Sequence, residues 1–153
     1  MVIKMTKLQE LINSLFDKNN TVACGAMKTL AELSEKSDEV YAYMDTFAEM
    51  LESGNSYVRN RGLRLIAVNA RWDNEFKIDE IIDDYLKHIT DKKPITARQC
   101  IAYLPEIAKY KPDCREEILT ALNRADISHY PDSMRSLVFK DIKNAIREVN
   151  GCE

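Results

Sequence analysis

The side chains that could carry chemistry in this 153-residue chain are few and far apart. His88 and His129 have no second histidine four residues away and no cysteine close enough in sequence to complete a zinc-binding pattern. The neighbouring carboxylates Asp83 and Asp84 would point about 100° apart on a helix, which disfavours a shared proton. The four glycines form no phosphate-binding loop. We therefore expect no catalytic site, no cofactor and no metal.

The cysteines and the only tryptophan favour structural roles. Cys24, Cys100, Cys114 and Cys152 include no Cys-x-x-Cys pair, so we expect free thiols in a reducing compartment. Trp72, at a predicted helix end, is either an exposed aromatic anchor or a plug beneath a turn, and packing is the preferred interpretation. The first residues show no signal-peptide pattern and no apolar run reaches membrane-span length. These features predict a cytoplasmic protein without a membrane partner.

Helices have to position these side chains, because composition and periodicity both favour an all-α chain. Apolar residues make up 45%, and there are only four Gly and four Pro. Eight segments carry apolar residues at helical spacing; the clearest stripe comprises Ile78, Ile81, Ile82, Tyr85, Leu86 and Ile89. The first two stripes include Phe16 and Val22. Thr6 and Gln9 predict a capping box, and Asp113 with Glu116 predicts a cap for the seventh helix.

The helical pattern repeats along the chain. Val22, Val58, Thr96 and Met134 are equivalent at offsets of 36, 38 and 38 residues. A small or medium residue recurs one turn later, at Ala26, Gly62, Cys100 and Val138. Periods of this size with two helices per unit predict stacked helical hairpins. We interpret residues 1–153 as one domain, with an N-terminal capping helix at 6–18, hairpin repeats at 20–53, 55–91 and 94–126, and a C-terminal capping helix at 131–150.

The segment Asn55-x-x-Val58-Arg59-x-x-Gly62-Leu63 resembles the opening of the first helix of a HEAT repeat, and residues 132–135 echo it. Pro105 inside a helix is similar to the kinked first helices of that family. The resemblance covers about residues 20 to 149. It implies a right-handed alpha-alpha superhelix, or α-solenoid, of about three and a half HEAT-like hairpins with eight helices. An armadillo-like arrangement, with three helices per unit, is the alternative.

Charge is divided between the two helices of each predicted hairpin. We call the first helix of each hairpin, together with the last helix, an A helix (20–37, 54–71, 94–111 and 132–150), and the second a B helix (38–53, 78–91 and 112–126). The A helices sum to +7 and the B helices to −11. In HEAT-like proteins the B helices typically form the concave surface, so the resemblance implies an acidic groove and a basic back.

An acidic groove would attract a protein or peptide with basic character and repel nucleic acid. The predicted partner-binding residues lie opposite the apolar stripes of the B helices: Asp45, Glu49, Glu80, Asp83, Asp84, Lys87 and Glu116. We therefore predict a non-catalytic protein-protein interaction scaffold. The competing interpretation is a solvated face whose acids pair with arginines of a neighbouring A helix.

Two further expectations concern other partners. Some HEAT-like proteins are glycosylases that act on alkylated DNA bases, and this resemblance makes nucleic-acid binding by the basic A helices the alternative function. It would place Arg59, Arg61, Arg64 and Arg98 against phosphates. A homodimer through an end repeat is expected if the outer faces of Leu8, Leu11 and Leu15, or of Leu137 and Phe139, remain exposed.

Overall fold

The computed structural model describes residues 6–151, and this part of the chain is all-helical, without strands. Cys152 lies outside the described residues. The eight α-helices are α1 (Lys7–Ser14), α2 (Asn20–Lys36), α3 (Met44–Met50), α4 (Ser56–Val68), α5 (Lys77–Leu86), α6 (Pro94–Tyr110), α7 (Arg115–Arg124) and α8 (Asp132–Asn150). Short 3-10 turns flank several of them, at Glu39–Tyr43, Asn69–Trp72, Lys87–Thr90 and Pro112–Cys114. None of the helices in this range is both long and apolar enough to cross a bilayer.

Side-chain caps explain where several helices begin. Thr6 and Gln9 form the predicted capping box, with reciprocal hydrogen bonds of 3.0 and 3.1 Å. Asn19 caps α2 by accepting the N–H groups of Thr21 and Val22, and Asn55 caps α4 by accepting the N–H group of Tyr57. The cap predicted for the seventh helix is wrong, because a 3-10 turn at Pro112–Cys114 leads into α7 and no side chain caps it.

The A helices pack side by side in chain order. Contacts join α2 to α4, α4 to α6 and α6 to α8, and the last two of these interfaces are the most extensive in the described chain. Helix α3 packs on α4, and α7 packs on α8. Most residues of the predicted apolar stripes are buried between these helices. Phe16 and Val22 are exposed, so their assignment to the buried stripes is wrong. Both lie next to the turn between α1 and α2.

Helices α4 and α3 approach each other closely at Gly62. A Cβ atom at this position would lie 2.9 Å from the Met50 Cβ and 3.0 Å from the Phe47 carbonyl oxygen. Because both atoms belong to a packed helix, the two backbones can approach this closely only with glycine here. This is the kind of contact that the recurring small residues predicted.

Candidate functional site

The seven predicted binding residues lie on the B helices or directly after them. Asp45 and Glu49 are on α3, the three acids Glu80, Asp83 and Asp84 are on α5, Lys87 begins the turn after α5, and Glu116 lies in the first turn of α7. All are exposed except Asp84, which is half-buried. Their charges are therefore available to a partner at the surface.

A groove of about 540 Å³ between α5 and α7 brings three of the seven together. Asp83, Lys87 and Glu116 line it, and Glu117 and Arg124 join them. The remaining lining is uncharged: Leu86, Thr120 and Ala121. The groove thus combines a small aliphatic surface with three carboxylates and two cations.

Glu117 and Arg124 line the groove but are absent from the predicted binding residues. The signal was present, because residues 117, 120, 121 and 124 recur at helical spacing and therefore share one face of α7. The predicted binding residues lie directly opposite the apolar stripes. The flank of α7 that carries Glu117 and Arg124 lies to one side of that line and faces α5.

The other four predicted residues lie outside the groove lining. Asp45 forms an ion pair with Lys77 across α3 and α5, at 3.0 Å. Asp84 pairs with Lys87 at 3.1 Å. Glu49 and Glu80 are exposed on their helices. The structure therefore divides the predicted surface into one groove and several outlying charges.

The arginines of the A helices are largely engaged within the protein. Arg59 and Arg61 are buried. The two nitrogens of the Arg61 fork donate to the Leu15 carbonyl and the Asn20 side chain, each at 3.0 Å. Ion pairs with acids of neighbouring A helices engage three more arginines: Arg64 with Glu35 and Glu106, Arg71 with Glu106, and Arg98 with Asp141. The expected basic back is thus largely neutralised by its own neighbours.

Asp91 accepts bonds from several sides at the turn before α6. Arg59 donates to both of its carboxylate oxygens, at 2.8 and 3.0 Å, and the Lys93 N–H donates to one of them. The His88 ring lies 2.7 Å from the other oxygen. Burial would raise the pKa of Asp91, but the hydrogen bonds from His88 and Arg59 outweigh it and hold the pKa well below its usual range. This aspartate therefore stays ionised.

The same Asp91–Arg59 pair links three successive turns along one edge of the molecule. Arg59 also donates to the Ser53 carbonyl, before α4, at 2.9 Å. The Tyr130 hydroxyl, before α8, donates to the Asp91 carbonyl. In this pair a B-helix acid does bind an A-helix arginine, as the competing interpretation of the charge pattern expected.

Asp73 has the equivalent position at the opposite edge, between α4 and α5. Its carboxylate accepts the N–H groups of Lys77 and Ile78 at the start of α5, at 2.9 and 3.0 Å. It also accepts the Tyr41 hydroxyl at 2.5 Å and lies 3.1 Å from the Lys111 ammonium group. The pKa of Tyr41 is raised mainly by burial and, to a lesser extent, by the hydrogen bond to Asp73. Asp73 thus joins the turns before α3, α5 and α7.

Within residues 6–151, one group has the ligand types and spacing for a metal ion: Asp79, Asp113 and Cys114. The Lys111 ammonium lies 2.6 Å from the Asp79 carboxylate and supplies a positive charge there. Burial, with the charge of Asp79, raises the pKa of the Cys114 thiol to about 12. A protonated thiol next to an ammonium is a poor ligand set, so the group is better suited to joining α5 and α7 than to holding a cation.

The remaining side chains considered for chemistry have structural partners. The Trp72 indole donates to the Ser34 carbonyl at 2.6 Å and is half-buried, in agreement with the packing interpretation. His88 contacts Asp91, and the His129 ring lies against the Tyr130 ring with centroids 3.9 Å apart. The two histidines share no site.

No family model and no curated protein matches this chain. Among solved structures it is similar to an engineered protein of the Northeast Structural Genomics Consortium, with a TM-score of 0.59 and 17% identity. The match covers 96% of this chain and 69% of that one. At this identity the similarity concerns the fold alone.

Proposed function

We propose that this chain is a non-catalytic scaffold of HEAT-like hairpins that binds a basic segment of another protein. The ordered packing of α2, α4, α6 and α8 supports the hairpin stack, as does the linkage of successive turns through Asp73 and Asp91. Right-handed superhelical stacking and a cytoplasmic location are part of this proposal.

The observation that carries the proposal is the groove between α5 and α7. Its Leu86 and Ala121 side chains offer apolar contact, and Asp83, Glu116 and Glu117 offer acceptors for lysine or arginine. A segment with an aliphatic side chain between basic residues satisfies both. The outlying acids Asp45, Glu49, Glu80 and Asp84 extend the negative surface and would favour the approach of such a segment.

The test is a binding comparison between two charge-reversed variants. The groove variant replaces Asp83, Glu116 and Glu117 with lysine. The control variant replaces the exposed acids Glu10, Glu32 and Glu39 with lysine, which gives the same change in net charge away from the groove. A fluorescently labelled peptide of alternating leucine and lysine is titrated by fluorescence anisotropy at low and high salt. We expect binding at low salt that the groove variant loses and the control variant keeps. Equal affinity of both variants would refute the groove.

Nucleic-acid binding by the A helices remains the second proposal, and the structure removes part of its basis. Arg59 and Arg61 are buried, and Arg64 and Arg98 already contact carboxylates. Phosphate binding needs several free cations on one surface. Titration of labelled single-stranded DNA in the same assay distinguishes the two, since DNA binding would strengthen in the groove variant.

Self-association through an end also remains a proposal. Leu15 is fully buried and Leu8 and Leu11 pack partly against the core, so these three leucines offer little free apolar surface. Leu137 and Phe139 are exposed on α8. A homodimer would therefore form through α8, and sedimentation equilibrium of the parent and of a Leu137→Ser/Phe139→Ser variant measures it.

A further inference from the structure

A second groove lies on the A helices, on a surface that the proposed function does not use. The first halves of α2, α4 and α6 enclose it, with a volume of about 640 Å³. Tyr57 and Ile95 line it with 57% and 61% of their surfaces exposed. Large apolar side chains this exposed contribute little to the core, so their position around one groove points to an apolar contact with another molecule.

Gly25 lies in the wall of this groove, inside helix α2. A Cβ atom there would meet nothing within 4 Å, and the backbone angle is not left-handed. Neither internal packing nor backbone conformation therefore requires glycine, although glycine weakens a helix relative to alanine. Gly62, by contrast, is explained by the approach of α3. The bare backbone at Gly25 leaves room for a ligand to approach α2 closely.

The charges in the groove have one sign. Lys28 and Arg61 are among its lining residues, and no carboxylate is. Arg61 is occupied by Leu15 and Asn20. Lys28 is exposed and forms no ion pair with another of the described residues. The groove therefore presents the exposed ammonium group of Lys28 beside the apolar side chains of Tyr57 and Ile95, with no carboxylate in its lining.

From these three features we propose that the groove binds a short acidic amphipathic helix of a partner protein. The apolar side chains of this helix pack between Tyr57 and Ile95, and one of its carboxylates pairs with Lys28. The helix approaches α2 closely at Gly25. A helix suits the groove because its apolar residues recur along one face, with charges beside them. One free ammonium group is too little for a nucleic-acid backbone, which needs several cations in a row.

The experiment is a selection of short random peptides displayed on phage against the full chain. The library is first depleted on the Gly25→Leu variant, which adds a side chain to the groove wall at a position where a Cβ atom meets nothing within 4 Å. We expect enriched sequences with net negative charge and with leucine or aromatic residues three or four positions apart. Failure to enrich any sequence, or enrichment of basic sequences, overturns the proposal.

The strongest selected peptide is then synthesised, labelled and titrated by fluorescence anisotropy. We expect the dissociation constant to rise about tenfold or more with Gly25→Leu, which blocks the close approach to α2, and with Lys28→Glu, which replaces the cation by an anion. Gly54→Ala is the matched control, because Gly54 also has open space around it and lies outside this groove. Equal weakening by the control, or unchanged affinity in both groove variants, contradicts the proposal.

Two measurements make the outcome unambiguous. Thermal melting checks that Gly25→Leu stays folded, and Lys28→Glu tests the same groove without altering a helix-interior glycine. The acidic surface of the B helices is unchanged in both variants. A negative result for this groove therefore does not contradict the proposed function, and a negative result for the proposed function does not contradict this groove. Labelled single-stranded DNA is titrated in parallel; DNA binding that Lys28→Glu removes, without peptide binding, would overturn the acidic helix as the ligand.

Discussion

Replacement of Arg59 with leucine tests how much of the stability depends on one buried ion pair. Arg59 and Asp91 are both only 4% exposed, and the arginine makes two bonds to the carboxylate and one to the Ser53 carbonyl. Leucine would leave a buried carboxylate without its main cationic partner. Removal of one member of a buried pair costs about 3–5 kcal/mol of unfolding free energy.

The expected loss is large compared with the whole stability of a domain, which is about 5–15 kcal/mol. For a chain of this size, each kcal/mol of unfolding free energy corresponds to about 2–4 °C in melting temperature, so we expect the melting temperature to fall by about 10 °C. Urea denaturation and thermal melting, both followed by circular dichroism, measure these changes. The matched control is Arg98→Leu, which removes an arginine–aspartate pair that is 40% and 23% exposed and should cost at most about 1 kcal/mol.

The same variant also has a pH signature. Because the pKa of Asp91 is held below its usual range, the pair stabilises the fold above the unfolded carboxyl pKa of about 3.9. That contribution is lost as pH falls towards the lower folded pKa, so the difference between parent and Arg59→Leu should narrow below pH of about 4. A variant within about 1 kcal/mol of the parent at pH 7, or one no worse than the surface control, would refute this reasoning.

Two other predictions concern packing and thiol exposure. Gly62→Leu should destabilise the protein by about 1–3 kcal/mol or more through overpacking against α3, and a melting temperature equal to that of the parent would show that the close approach is wrong. Native alkylation with iodoacetamide, read by peptide mass spectrometry, should modify the half-buried Cys24 but not Cys100 or Cys114, whose pKa values burial raises. Equal labelling of the three would contradict their packing.

Helix positions and most buried stripes could be predicted because they depend on local spacing. The stripe from Ile78 to Ile89 is predicted from periodicity alone, and its central members Ile82 and Tyr85 are buried. The errors arise where tertiary context decides. Val22 has the spacing of a buried residue, but it lies on the side of the first turn of α2 that stays exposed, whereas Ala23 in the same turn is buried.

The binding surface could be predicted only in part, because charge partners lie far apart in sequence. Arg59 looks like a surface residue until the fold brings Asp91, 32 positions later, against it. The groove between α5 and α7 depends on two helices meeting, which no local pattern specifies. Asp83 and Glu116 were identified individually, whereas their common groove required the three-dimensional structure.

The linkage of turns by Asp73 and Asp91 has a consequence for how the protein unfolds. The Asp73 carboxylate takes its partners from three turns. The Asp91–Arg59 pair also bonds to three turns, through the Asp91 carboxylate, the Asp91 carbonyl and the Arg59 side chain. Opening any one of these turns would therefore leave a polar or charged group of the remaining fold without a partner. In the hairpin stack proposed above, such shared groups enlarge the energy between neighbouring hairpins relative to the intrinsic energy of a single hairpin. Partly opened forms thereby become costly, and we expect the helices to melt as one cooperative unit instead of fraying in sequence from an end.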